Sequence, residues 1–179
     1  MYGLVNKGIE EMVLEFHGQE KWEEIKRKAA FESEGFLNMK PYPDDLTYKL
    51  VGAACEVLNA KPEDVLKAFG EYWILFTAEK GYGEMLNLAG ATLPDFLKNL
   101  DMLHGRVNNL MPELVPPQFE CENETEKSIE LIYKSKREGL IPMLHGLVIG
   151  LGKRFNKTTT FTFLSDTSDG GKKFLIQWD

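Results

Sequence analysis

Tyr133, Ser135 and Arg137 stand two residues apart at the end of a segment that alternates apolar and polar side chains. From Ile129 the odd positions read Ile129, Leu131, Tyr133, Ser135 and Arg137, while Ser128, Glu130, Lys134 and Lys136 take even ones and only Ile132 breaks the alternation. Side chains of a strand alternate in facing, so the odd set is predicted to share one side. That side begins as a core face and ends in two hydroxyls and a guanidinium, whose burial without partners costs on the order of 1–3 kcal/mol each. A ligand bearing carboxylates satisfies all three, because the arginine fork matches a carboxylate bidentately and the hydroxyls donate to its remaining lone pairs. A strand end that simply reaches solvent would present the same residues.

His104 is the second candidate. Phe96, Leu100, Leu103 and Val107 form the apolar stripe of a helix predicted from about Leu93 to Asn109, and His104 falls inside that stripe. Two chemistries are open to it: a buried imidazole bonded to a backbone carbonyl, or a neutral imidazole ligating iron. No second metal-ligating histidine stands near it, and one histidine alone does not hold zinc. It does hold a heme iron, because the porphyrin supplies the other four bonds. A heme answers both candidates, with an iron for His104, a broad apolar face, and two propionates for Tyr133, Ser135 and Arg137.

The elements that must position these groups follow from composition and periodicity. With 179 residues and 43% hydrophobic content, the chain suffices for one domain burying roughly 70% of its unfolded surface, with room for an internal pocket. Twenty-one basic against 28 acidic residues give a net charge of -7, which argues against a nucleic-acid binder or an anionic membrane partner. The first residues lack a basic n-region and an apolar h-region, and no apolar run approaches the roughly 18 residues of a membrane span. Cys55 and Cys121 lie far apart without Cys-x-x-Cys spacing, so neither a disulfide framework nor a thiolate metal site is indicated and a cytoplasmic location is expected.

Val5, Ile9, Met12, Val13 and Phe16 place a helix over 2–17, and Trp22, Ile25 and Ala29 a second stretch. Asp44 is the predicted N-cap of a third helix with Leu50, Val51, Ala54 and Leu58 inward. Pro62 opens a fourth carrying Leu66, Phe69, Trp73 and Phe76, which Gly81 ends. A short helix holds Met85 and Leu86, and Thr92-Leu93-Pro94-Asp95 starts the helix of His104. Pro112, Pro116 and Pro117 mark an irregular crossing. Beyond it strands are predicted at Phe119–Glu122, Ile129–Ser135, Thr158–Leu164 and Phe174–Trp178, the last two joined through Asp169-Gly170-Gly171. One helix, about Leu140 to Phe155, separates the two pairs despite its internal glycines. The predicted fold class is α+β.

The order of short motifs along the whole chain resembles the heme nitric oxide/oxygen-binding (H-NOX) domain, related to the heme domain of soluble guanylate cyclase. The motifs are Met1-Tyr2-Gly3-Leu4-Val5-Asn6, Phe69-Gly70-Glu71-Tyr72-Trp73, Leu100-Asp101-Met102-Leu103-His104, Pro116-Pro117-Gln118-Phe119 and Tyr-x-Ser-x-Arg at 133 to 137. The resemblance implies one domain over 1–179: a helical subdomain over about 1–65, then a heme-binding subdomain over about 66–179 with a small, mainly antiparallel four-stranded sheet. Heme b (iron protoporphyrin IX) would lie between them. It implies His104 as the proximal iron ligand, Tyr133, Ser135 and Arg137 on the propionates, and Pro117 pressing on the porphyrin from the proximal side. Val5, Ile9, Trp73, Met143 and Leu147 would line the pocket.

Oxygen-binding members resemble one another in a tyrosine on the helix after the Tyr-x-Ser-x-Arg strand, and no tyrosine occurs here from Glu138 to Phe155. Met143 stands at or within one residue of that place, one turn from Leu147. An apolar wall favours nitric oxide, and carbon monoxide, over oxygen. Trp73 either donates its indole N–H to the bound gas or only packs. His145 should point away from Met143 and Leu147, and His17 is expected as a solvated helix end. The expected function is a gas sensor without catalytic activity. It would signal to a separate partner such as a histidine kinase or diguanylate cyclase, since the chain ends at Asp179. The rival readings are a heme enzyme, for instance a peroxidase or nitric oxide dioxygenase, an oxygen-binding H-NOX sensor, and a helical interaction module without cofactor. The helix of Met143 offers no distal acid–base pair for the enzyme.

Overall fold

The computed structural model describes the backbone of residues 1–179 and the side chains of all but residues 77 and 78. Helix α1 (Gly3–Lys28) joins the first two predicted helices across a kink at Gly18, whose φ of 80° suits glycine. Helix α2 (Asp44–Leu58) corrects an expectation: Pro43 holds its N-cap position with no side-chain bond. The Asp44 carboxylate is committed instead to the Met1 ammonium and to Arg137. Helix α3 (Pro62–Tyr72) runs through a π turn, Trp73–Thr77, into α4 (Ala78–Ala89). Helix α4 is kinked at Tyr82, whose φ of -141° and ψ of 21° are not helical, so the helix breaks one residue after Gly81, where its end is expected from the sequence. The extra residue of the π turn re-phases the apolar stripe between α3 and α4.

The predicted helix of His104 divides at Asn99 into α5 (Leu93–Lys98) and α6 (Leu100–Leu110). The Asn99 side-chain amide donates to the Ala89 carbonyl at 2.8 Å, a local bond that competes with helix continuation. Thr92 caps α5, its Oγ1 accepting from the Asp95 N–H at 3.3 Å.

Strands β1 (Gln118–Glu122), β2 (Ser128–Lys134), β3 (Thr159–Asp166) and β4 (Lys172–Trp178) form one antiparallel sheet in the order β1-β2-β4-β3. Ile129, Leu131 and Tyr133 are buried on one face beside their partners Ile176, Phe174 and Phe119. Strand β2 ends at Lys134, so Ser135 and Arg137 sit on the bend beyond it and not on the strand edge. Ser135 makes that bend by accepting the Arg137 backbone N–H on its Oγ at 3.0 Å.

Helix α7 (Ile141–Arg154) crosses α3 at unusually short range. A Cβ on Gly70 would stand 2.1 Å from the Met143 carbonyl oxygen, and one on Gly146 1.9 Å from that of Lys67. The glycines that weaken α7 in isolation are what let it approach, and Trp73 and Met143 both pack against the cluster of Ile9, Met12, Phe69 and Tyr72. Val13, Trp22, Ile25 and Leu50 form one apolar cluster, and Phe96, Leu97, Leu131 and Phe174 belong to another beside the sheet. Ile9, Met12, Phe69 and Tyr72 link α1 to α3. Among the described residues no helix is long and apolar enough to cross a membrane.

Candidate functional site

An apolar cavity opens where α1, α6, α7 and the sheet converge. Helix α6 and the segment after it contribute Leu103, His104, Val107, Met111, Pro117 and Phe119; α1, the π turn and α7 contribute Leu4, Val5, Trp73, Met143 and Leu147. Tyr133, Ser135 and Arg137 reach the same space. The fold thus gathers candidates that are remote in sequence into one pocket.

His104 shows no carbonyl partner. Its Nδ1 is buried without a hydrogen bond among the described residues, and its ring stacks on Phe119 with centroids 5.5 Å apart. Burial pushes its pKa below the ordinary value, against an upward pull from Asp101. A neutral imidazole without a hydrogen-bond partner at Nδ1 has the chemistry that metal ligation uses. Among the described residues no group of three or more His, Cys, Asp or Glu side chains is placed to hold a bare metal ion.

Tyr133 is buried, which raises its phenol pKa against a hydrogen bond from Ser135 and the charge of Arg137. Arg137 is partly engaged by protein: Nε donates to Asp44 Oδ2 at 2.7 Å, Nη2 to Asp44 Oδ1 at 3.4 Å and Nη1 to the Val115 carbonyl at 2.6 Å. A guanidinium carries five N–H groups, so two remain for a ligand.

One expected pocket residue behaves differently from the rest. Ile9 does not line the cavity; one turn beyond Val5, it packs with Met12, Phe69 and Tyr72 towards α3. Trp73 lines the cavity and meets Phe69 edge-on at 5.9 Å. His145 turns away from the pocket and stacks on Phe161, centroids 4.9 Å apart. Sequence reasoning missed Tyr2, Tyr82 and Met85 on the wall and Asp44 behind Arg137. Met85 was legible only as half of an apolar pair, and the local signal at Asp44 was that of a helix cap.

One unpartnered imidazole in an apolar slot, with hydroxyls and a guanidinium reaching the same slot, fits a heme, so fold and site define a heme-binding α+β domain. The sequence pattern of the haem-NO-binding (HNOB) family matches residues 2–163. Soluble guanylate cyclase gcy-31 of Caenorhabditis elegans is 28% identical over 166 residues, 93% of this chain and 24% of that protein. Soluble guanylate cyclase gcy-35 of the same organism is 30% identical over 161 residues, 88% of this chain and 23% of that protein. The chain therefore spans about a quarter of the length of these curated relatives. Among solved structures, an H-NOX protein from S. oneidensis in the Fe(II)NO ligation state superposes with a TM-score of 0.88 at 22% identity, covering 100% of this chain and 99% of that one. A substituted form in the Fe(II) ligation state gives 0.90 at 21% identity, covering 100% and 96%. The chain belongs to the haem-NO-binding, or H-NOX, family: heme-based gas-sensor domains, not enzymes, related to soluble guanylate cyclase.

Proposed function

We propose that this domain holds heme b with His104 on the iron, senses nitric oxide, and signals to a separate protein. Carbon monoxide is the second expected ligand. The observation that carries the reading is the half-buried imidazole of His104, its Nδ1 buried and unpartnered, at an apolar cavity that Tyr133, Ser135 and Arg137 also reach. When bound, the heme supplies a ferrous iron able to take a diatomic gas.

The residues divide the work. Tyr133, Ser135 and the two free N–H groups of Arg137 hold the propionates. Met143 and Leu147 exclude water and offer no hydrogen bond, which disfavours oxygen, whose bound form needs a donor, more than nitric oxide. His104, on α6, would be the residue through which gas binding at the iron is passed to the protein. With His104 on α6 and Pro117 on the segment after it, these two elements would carry a change at the iron into the rest of the domain. The parts over about 1–65 and about 66–179 then rotate against each other. A partner such as a histidine kinase or diguanylate cyclase, in the cytoplasm, reads this only through different affinity for the two states, about 1.4 kcal/mol for each tenfold effect.

Hemin titration of the apo-protein tests the arrangement. One heme per chain is expected, with affinity about tenfold weaker in Arg137→Ala for the loss of a charge-assisted bond. Unchanged affinity in that variant would remove Arg137 from the propionates.

A further inference from the structure

Glu71, Tyr72 and Trp73 end α3 and begin the π turn, and their side chains leave the chain in three directions. The Glu71 carboxylate meets the Lys153 ammonium of α7. The Tyr72 hydroxyl donates to Glu15 Oε2 of α1 at 2.9 Å, and Trp73 lines the cavity. Successive residues of a helix are turned by about 100°, so a side chain fixed at 72 fixes the bearing of its neighbour. Tyr72 is held on several sides at once. Its buried ring stacks on Phe76 with centroids 4.8 Å apart and takes Phe16 edge-on at 5.8 Å. Neither phenylalanine belongs to the cavity wall; what they cover is Tyr72. Burial, and then the bond to Glu15 and its charge, push the Tyr72 phenol upward, which keeps its proton in place to be donated.

A π turn holds one residue more than an α turn and lasts only where the surrounding contacts fix it. The backbone alone does not set where along a helix that extra residue lies. Were it to pass from Trp73–Thr77 into the turn before, Tyr72 and Trp73 would rotate by about 100° against the rest of α3, which the close crossing at Gly70 and Gly146 holds in place. Trp73 would then leave the cavity, and Tyr72 would have to leave Glu15. From this geometry we propose that Tyr72 and Glu15 are positioning residues that hold the π turn at Trp73–Thr77 and so keep the Trp73 indole in the wall that a bound gas meets. The inference rests on the reading of the cavity as a heme pocket.

The C–O stretching band of the heme-loaded ferrous protein under carbon monoxide tests it, because that band reports the polarity and shape of the wall around the gas, and the Soret band is recorded on the same samples. Trp73→Phe removes the indole and should move the band. Tyr72→Phe keeps the ring but loses the donor, and should show a second band towards the Trp73→Phe position, its share of the signal about fivefold above the parent's. Glu15→Leu should do the same, and it carries the test if Tyr72→Phe does not fold. Glu15→Gln, which still offers a carbonyl oxygen to the phenol, should keep the parent spectrum. Added to Trp73→Phe, the Tyr72→Phe change should move the band no further, which separates an effect through Trp73 from a general loosening. A Tyr72→Phe spectrum equal to the parent's, a Tyr72→Phe shift that persists without Trp73, or a Trp73→Phe band that does not move overturns the inference alone. A parent protein without a Soret band overturns the inference and the heme reading together.

Discussion

Asp44, the first residue of α2, receives the guanidinium of Arg137 from 93 residues away, with Nε 2.7 Å from Oδ2 and Nη2 3.4 Å from Oδ1. The Met1 ammonium meets the same carboxylate. The arginine that reaches the cavity is therefore also the cross-link between the first helices and the bend after β2. Burial works to raise the Asp44 carboxyl, but hydrogen bonds from Arg137 and the ammonium outweigh it and hold the carboxyl below its usual range.

The sign of the resulting pH dependence follows. A carboxyl depressed in the folded state stabilises it fully above the unfolded value of about 4, and that stabilisation is lost as pH falls through the lower folded value. With the Asp44 side chain 38% exposed, solvent screening limits the contribution to about 0.5–1 kcal/mol. Thermal melts of the parent protein and Asp44→Asn should differ by about 1–4 °C at pH 7 and converge at the acid end. A constant difference down to pH 2 would contradict the assignment.

Replacing His104 with glycine should abolish heme retention on gel filtration, and added imidazole should restore it by occupying the vacated space. Retention without imidazole would place the iron on another residue.

Gly146→Ala tests the crossing that sets the wall opposite α6. Its methyl would meet the Lys67 carbonyl oxygen at 1.9 Å, and parting α3 from α7 should cost about 1–3 kcal/mol. The melting temperature should fall by roughly 2–12 °C, and a melt unchanged within error would show that the helices separate freely.

Met143→Tyr would install a phenol on α7, where the residues now facing the cavity are apolar. A donor to bound oxygen should slow oxygen dissociation about tenfold, followed by stopped-flow absorbance. No gain in oxygen retention would mean that gas selection rests on another part of the pocket, with Trp73 the first to examine.

Much of this was legible because the signals were local. Alternation from Ile129 to Tyr133 marked β2 and its buried face, Thr92 marked the start of α5, and the stripe from Phe96 to Val107 put His104 inward. The strand ran one residue short of expectation because Ser135 bonds the chain ahead of it, which alternation does not register. The break at Asn99 depends on the Ala89 carbonyl and the run of α3 into α4 on a π turn, both outside a periodicity argument, whereas the kink at Tyr82 falls one residue from the Gly81 that periodicity marked. Val5 and Ile9 share a helical step, yet only Val5 meets the cavity, since the close approach of α3 takes Ile9. Asp44 read as a helix cap because caps are local; its actual partner, Arg137, is fixed by tertiary folding.

The central claim, a ferrous heme on His104 that answers to nitric oxide, is tested most directly by one absorption series. The protein is purified, reduced without air, and its Soret band recorded before and after nitric oxide and, separately, after exposure to air. A Soret band that shifts with nitric oxide, together with no stable oxygen complex in air, is the predicted result. Absence of a Soret band would eliminate the heme, and a stable oxygen complex would overturn the assignment of nitric oxide.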